Sequence, residues 1–345
     1  MRRSIPSLAA AAAAALLLAG CSASTPADDS GSGGDAPEPT MSASLQLHWA
    51  WSASTAGFAL AETDGLYEDA GLDLQVEQGT GSGTAVQLVS SGQADVGVAD
   101  ATAIAQAVAQ GAPLVVVSTI NQVTNTALQA LTDEGIESVE DLRGKTVAVP
   151  QGGAFSFLFP LFLEQNGLSE DDVTIANVPF ESMVPSLLQG NVDAIVGGQD
   201  SNVSLTNLDA DFDEFLFGDY GVTLVAHSIF TTQSFLDEQP DTVRAVVAAS
   251  LDGWGEALDD PQRALDAIQE LQPDSVEENA RAELEFLLPL LCAAEATHVG
   301  EAAPERWTTS NELMVRAGLL DAPLDPATYT SYDYLPAEDD LRSCE

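Results

Sequence analysis

Chemistry needs nucleophiles, proton carriers or metal ligands at workable spacings, and this chain is poor in all three. His48, His227 and His298 are scattered, and no CxxC or HExxH spacing accompanies them, so a metal centre has no sequence support. One lysine, Lys145, is the single candidate for covalent amine catalysis. Gly79-Thr80-Gly81-Ser82-Gly83 is glycine-rich but lacks the Lys-Ser/Thr that completes a phosphate-cradling loop, and Gly81-Ser82-Gly83 has the wrong spacing for a nucleophile elbow. The many carboxylates read as solvated faces, so no acid/base pair stands out. The residues fit binding better than turnover, and no cofactor is called for.

In His48-Trp49-Ala50-Trp51 the indoles of Trp49 and Trp51 each offer a stacking face and one donor, with core packing the alternative for both. Gly81-Ser82-Gly83-Thr84 precedes a helix, where backbone N–H groups and the Ser82 and Thr84 hydroxyls suit a polar or anionic group; ordinary N-capping is the alternative. Gln151-Gly152-Gly153-Ala154 offers the same features, which makes Gln151 and Gly152 candidates. Asp100 after one apolar run and Glu181 after another present carboxylates for an amino group, with solvated or capping roles as the alternative. Phe180 is a candidate wall, although Phe155 and Phe180 also suit a core.

Strand and helix patterns alternate behind these residues. Leu45–Trp49, Leu72–Val76, Ala94–Val98 and the apolar run Leu114–Ser118 read as strands. Helical stretches at 56–70, 84–91 and 101–110 separate them, stopped by Gly71, Gly92 and Gly111. A second series follows, with strands at 146–149, 173–178 and 193–196, helices at 155–165 and 183–189, and a returning strand at 222–226. The chain from about Thr242 to Leu320 reads as helices at 243–257, 261–271, 278–291 and 303–317. Such βα alternation implies an α/β fold with parallel strands and crossover helices. The length of 345 residues suits about two domains.

Ten basic against fifty-four acidic residues give a formal charge of −44. Such a surface repels phosphate backbones, so no nucleic-acid partner is expected. With 45% hydrophobic residues, the chain is folded beneath an anionic coat. Met1-Arg2-Arg3, a short apolar run and Leu18-Ala19-Gly20 read as a secretory signal peptide over residues 1–20. The following Cys21 completes a pattern that resembles the bacterial lipoprotein signal, so Cys21 is the expected lipidated residue, a buried or disulfide-bonded Cys21 being the alternative. Removing residues 1–20 makes the charge 8 − 54, or −46. Residues 21–43, rich in Ser, Gly, Pro, Ala and Asp, read as a disordered tether. Cys292 and Cys344 remain, an even pair that suggests one disulfide in an exported protein, with two free thiols the alternative.

Four ordered segments carry a family resemblance. They are Ala61–Leu72, with Gly65-Leu66-Tyr67 and Gly71-Leu72; Gly79–Gly83 followed by Ser91-Gly92-Gln93-Ala94-Asp95-Val96-Gly97; Leu142–Val149; and Leu188-Gln189-Gly190-Asn191-Val192-Asp193-Ala194. Together they resemble type II periplasmic-like binding proteins over about residues 45–336. The subgroup is that of ABC-importer receptors for thiamine-pyrimidine precursors, sulfonates and nitrate, with the related fungal thiamine-pyrimidine synthase. The resemblance implies a two-lobed fold with a ligand cleft between the lobes, crossings near residues 122–132 and 220–230, and a helical C-terminal part. Lobe 1 would take residues 44–128 and 225–345, lobe 2 residues 129–224. In the pyrimidine-binding relatives an acid or amide and a Trp stand where His48 and Trp49 stand here; Ser54 and Thr55 replace an Asn/Tyr-His pair, and Gln199 matches a polar position.

The resemblance thus implies a lipid-anchored, monomeric receptor on the outer face of the cytoplasmic membrane. It would bind a small heteroaromatic such as a thiamine-pyrimidine precursor and deliver it to an ABC permease. A sulfonate, taurine or nitrate receptor is the alternative. A synthase is disfavoured because Ala99 and Ala103 replace the enzyme's histidine and lysine and its cysteine cluster is missing.

Overall fold

The computed structural model describes residues 41–150, 154–275, 277–301 and 304–344. The expected signal peptide, Cys21, most of the tether, Gln151 and Gly152 lie outside the described residues.

Strands β1 (Met41–Gln46), β2 (Leu72–Glu77), β3 (Val96–Asp100), β4 (Leu114–Thr119), β5 (Thr126–Leu131), β6 (Thr146–Pro150), β7 (Thr174–Val178), β8 (Ala194–Gly198), β9 (Phe212–Leu216) and β10 (His227–Thr232) form two five-stranded sheets. Their orders are β2-β1-β3-β10-β4 and β7-β6-β8-β5-β9. The helices are α1 (Ala56–Thr63), α2 (Leu66–Asp69), α3 (Ser82–Ser90), α4 (Ala101–Ala109), α5 (Ala154–Gln165), α6 (Met183–Leu188), α7 (Asp200–Asn207), α8 (Gln233–Glu238), α9 (Pro240–Asp259), α10 (Pro261–Leu271), α11 (Glu277–Leu287) and α12 (Pro304–Arg316). Each sheet with its covering helices is one lobe of a periplasmic-binding-protein fold.

The sheets are mixed rather than wholly parallel. β10 runs antiparallel to β3 and β4, and β5 antiparallel to β8 and β9, whereas the β1–β2 and β6–β7 pairs are parallel. β5 and β10 are the first strands the chain makes after passing from one sheet to the other, so no crossover helix sets their direction. Residues 222–226, read as a strand in the sequence, lie outside the sheets; the strand is just beyond them, at β10. Met41, Ser42 and Ala43, read as the end of the tether, belong to β1, where Met41 pairs with Leu72 and Ala43 with Leu74. A neighbouring strand satisfies that backbone although Met-Ser-Ala carries no alternating pattern.

The core of the first lobe packs α1 against α9 beneath β1. A Cβ at Gly253 would lie 2.2 Å from the Gly57 carbonyl oxygen, so only glycine permits this helix contact. Trp254 caps it, edge-on to Phe58 with ring centroids 5.7 Å apart. Ala280, Leu284 and Leu288 join the same cluster, which seats α11 on this lobe. In the second lobe, Leu205 of α7 packs with Ala148 and Ile195 beneath β6 and β8. Cys292 and Cys344 are joined by a disulfide, their Cα atoms 5.5 Å apart, and Cys344 N–H donates to the Thr297 carbonyl at 2.8 Å.

The two passages between sheets run side by side. Thr124 N–H donates to Leu224 O at 2.8 Å, Ala226 N–H to Asn121 O at 3.1 Å, and Asn121 N–H to His227 O at 3.1 Å. Paired segments of this kind hold two lobes in register while leaving their φ/ψ angles as the place where a hinge turns.

Candidate functional site

β1 ends at Gln46, and the chain then turns through His48, Trp49 and Trp51 at the carboxyl end of the first sheet. The β2–α3 loop fixes this turn. Gly79 N–H donates to Trp49 O at 3.0 Å and Gly81 N–H to His48 O at 2.8 Å. A Cβ on Gly79 would meet Leu47 O at 2.0 Å, so the contact requires glycine. The glycine-rich run is therefore a clasp on the Trp49 turn. The Ser82 hydroxyl accepts from Asp100 N–H at 3.0 Å, Gly83 lies open to solvent, and Thr84 is exposed with its hydroxyl 3.5 Å from Thr80. Of the expected anion cradle Gly81-Ser82-Gly83-Thr84, the Gly81 amide and the Ser82 hydroxyl are engaged within the fold, and the Thr84 amide donates to Gly81 O at 3.0 Å.

Trp49 keeps 52% of its surface exposed, whereas Trp51, at 8%, belongs to the core of the first lobe. Trp51 thus takes the core position that was its alternative, and it does not line the cavity described below. The two differ because Trp51 lies beside the start of α1, with its N–H donating to Gln78 Oε1 at 3.1 Å, while Trp49 stands at the outside of the turn. Asp100 caps α4, its Oδ1 accepting from Thr102 N–H at 2.8 Å, so it too has a local structural role. Phe180 is exposed and stacked on Phe155, centroids 6.3 Å apart, and Glu181 beside it is exposed. Neither borders the cavity described next.

A cavity of about 360 Å³ opens between the lobes. Trp49, Ser54 and Gln199 of the sequence candidates line it. Asp200, His227, Glu283 and Phe286, which the sequence reading missed, complete it with Ser52, Asn125 and Leu287. Asp200 follows Gln199 directly after the run Ile195–Gly198, a signal that was present. Glu283 and Phe286 lie on a helix far along the chain, and nothing local distinguishes them from other amphipathic positions. No lysine or arginine lines the cavity among the described residues.

Each lobe contributes a distinct polar arrangement. On the second, Gln199 is 94% buried; its Nε2 donates to Glu214 Oε1 at 2.9 Å, and Asn202 donates to the other oxygen of Glu214. Gln129 in turn donates to Asn202 Oδ1 at 3.0 Å. A carboxylate only accepts, so this network turns the Gln199 amide nitrogen inward and leaves Oε1 without a partner. On the first, His48 and His227 stack with centroids 4.0 Å apart, and His227 Nδ1 lies 3.0 Å from Asn121 Oδ1. Burial lowers His48 well below the usual imidazole range, helped by His227, and burial lowers His227 against the opposing pull of Asp100. Asp200 and Glu283 face the cavity from opposite lobes. Loss of water raises both carboxyls, and the Asp200 charge raises Glu283 further.

The family described as NMT1/THI5 like matches residues 52–264. The chain belongs to that family. NMT1/THI5-like relatives include the riboflavin-binding protein RibY of Chloroflexus aurantiacus, 26% identical over 92% of this chain and 93% of its own length. The formylaminopyrimidine-binding protein of Halalkalibacterium halodurans is 23% identical over 72% of this chain and 73% of its own. Among solved structures, the periplasmic aliphatic sulphonate binding protein SsuA of Escherichia coli superposes with a TM-score of 0.67. It covers 83% of this chain and 91% of its own at 15% identity, a likeness of fold. Among the described residues of this NMT1/THI5-like chain, no group of three His, Cys, Asp or Glu side chains is placed to hold a metal ion.

Proposed function

We propose that the protein is an extracytoplasmic substrate-binding lipoprotein of an ABC importer. It takes a flat heteroaromatic, a thiamine-pyrimidine precursor or a flavin, into the cavity between its lobes and presents it to a permease. The observation that carries this reading is the exposed Trp49 indole beside a cavity lined by two carboxylates and, among the described residues, by no lysine or arginine. An indole face stacks on a ring, and the acceptors orient its edge. The relatives whose names state a riboflavin or a formylaminopyrimidine ligand support the same class. The mechanism is closure of the lobes around the ligand, with no bond made or broken. The resemblance of Leu18-Ala19-Gly20-Cys21 to a lipoprotein signal supports anchoring through Cys21 at the outer face of the membrane. The same reading divides the chain into lobe 1 (44–128 and 225–345) and lobe 2 (129–224).

The test is thermal shift and titration calorimetry against a panel of aminopyrimidines, flavins, sulfonates and nitrate. A ligand at a hundred times its Kd adds about 2.7 kcal/mol of stability. Heterocycles are expected to stabilise the protein and the small anions are not. Trp49→Ala is expected to weaken the best heterocycle by about 10- to 100-fold, the scale of one base–aromatic stack. Stabilisation by sulfonates with no heterocycle bound would overturn the proposed ligand class.

A further inference from the structure

The two carboxylates among the cavity's lining residues, Asp200 and Glu283, come from different lobes. Asp200 opens α7, which packs on the second sheet, and Glu283 lies in α11, which packs in the core of the first. These two helices also touch away from the cavity, where Asn207 Nδ2 donates to Asn279 Oδ1 at 2.9 Å. The carboxylates therefore face each other along a contact the lobes already make. Gln199, which lines the cavity and precedes Asp200 in sequence, has its Oε1 buried and unpartnered. Its orientation is fixed because Glu214 holds the amide nitrogen. A buried acceptor without a donor is costly, and like charges without a donor between them repel.

We infer that the ligand turns a cluster of hydrogen-bond donors, and no anionic group, towards Asp200, Glu283 and Gln199 Oε1, so that these donors join one lobe to the other. The inference rests on the heteroaromatic reading above and adds which edge of the ligand the site selects. Trp49 and Phe286 bind a ring face without regard to its substituents. The acceptor trio instead recognises what the ring carries: an ammonium or amide nitrogen, or the hydroxyls of a polyol chain. A donor set placed there satisfies Gln199 Oε1 and lessens the repulsion between the carboxylates in one step. Ligand binding and closure of α7 towards α11 are thereby the same event. A phosphate or sulfonate at that edge would add charge of the wrong sign where no cation answers it.

The experiment titrates the full protein with matched compounds that share a ring and differ at the edge. Riboflavin is compared with lumiflavin, which lacks the polyol hydroxyls, and with riboflavin 5′-phosphate. 4-Amino-5-aminomethyl-2-methylpyrimidine is compared with 4-amino-2,5-dimethylpyrimidine. For whichever ring binds, the member carrying the additional aminomethyl or polyol donors is expected to bind at least tenfold more tightly than its partner lacking them, and the phosphate ester at least tenfold more weakly than riboflavin. In Asp200→Asn/Glu283→Gln the differences within each matched pair should shrink several-fold. That variant loses two mutually repelling charges, so its melting temperature is expected to hold or rise. Equal binding within a matched pair overturns the inference and leaves the heteroaromatic reading standing. Failure of all five compounds to bind overturns that reading and the inference with it. The wild-type comparison decides the matter even where the variant folds poorly.

Discussion

At the residue scale, the site is organised by side chains whose ordinary partners are missing. Both ring nitrogens of His48 are buried without a protein partner among the described residues, and the ring leans on His227 instead. Burial keeps both imidazoles neutral, below the usual value of 6.5. The unfolded chain therefore binds more protons than the folded one once the pH falls below about 6.5, so stability drops as the pH is lowered through that value. The slope for one such histidine reaches about 1.4 kcal/mol per pH unit between its folded and unfolded values. Asp100 opposes this at His227, which makes His48 the cleaner probe. Denaturant unfolding at pH 7.5, 6.5 and 5.5 is expected to show a steeper loss in the wild type than in His48→Gln. Parallel curves for the two would mean that His48 is not held neutral by its surroundings. Trp49 was singled out at the end of the first strand pattern, and Ser54 and Gln199 by their match to polar positions of the resembled family; all three line the cavity. Trp51 resembled Trp49 in sequence, and only the direction of the turn between them sends one to solvent and the other to the core.

At the element scale, small residues decide how closely secondary structures approach. Gly253 and Gly57 let α9 and α1 touch backbone to backbone, and α11 then extends the same packed layer towards the cleft. Gly253→Ala is expected to cost about 1–3 kcal/mol, because the added methyl meets a carbonyl oxygen rather than a yielding side-chain tip. Gly83→Ala, near the start of α3 with open space around it, is the control. It is expected to be neutral or to stabilise by up to about 1 kcal/mol through helix propensity. Thermal unfolding of the two variants checks both signs, and equal melting temperatures would refute the close-approach argument. Helix spacing was readable here: α9 and α10 stand close to the periods seen in the sequence, since each buries one apolar face. The strands β5, β9 and β10 escaped notice because they pair antiparallel with strands distant in the chain, and such pairing leaves little local periodicity.

At the scale of the whole molecule, the charge of −44 is a property of the coat. The cations that exist are mostly at the surface, as in the Arg342–Asp259 pair at 2.6 Å and the Arg281–Glu277 pair at 2.8 Å, and such pairs contribute little singly. Self-repulsion over the remaining carboxylates opposes the compact state. Raising NaCl from 0.1 to 1 M shortens the screening length from about 10 Å to about 3 Å. The melting temperature is therefore expected to rise across that range, measured by scanning calorimetry; a fall or no change would show that the acids are already balanced by their pairings. The same field disfavours entry of an anionic ligand into a cavity lined by no lysine or arginine among the described residues, and it does so most at low salt.

Composition, apolar alternation and four ordered motifs were enough to determine the family, the α/β class and the absence of any nucleophile or metal-ligand pattern. These are properties of residue type and local spacing, which the linear chain carries in full. The partner of Trp49 across the cleft was another matter. Gln199 and Asp200 come from one lobe and Glu283 and Phe286 from the other, separated by 83 positions between Asp200 and Glu283. Only packing of α7 and α11 brings them to one cavity, and only the Glu214 network decides which end of the Gln199 amide is left unpartnered. Direction and proximity of side chains depend on the backbone's path through space, and no spacing in the sequence encodes that path by itself.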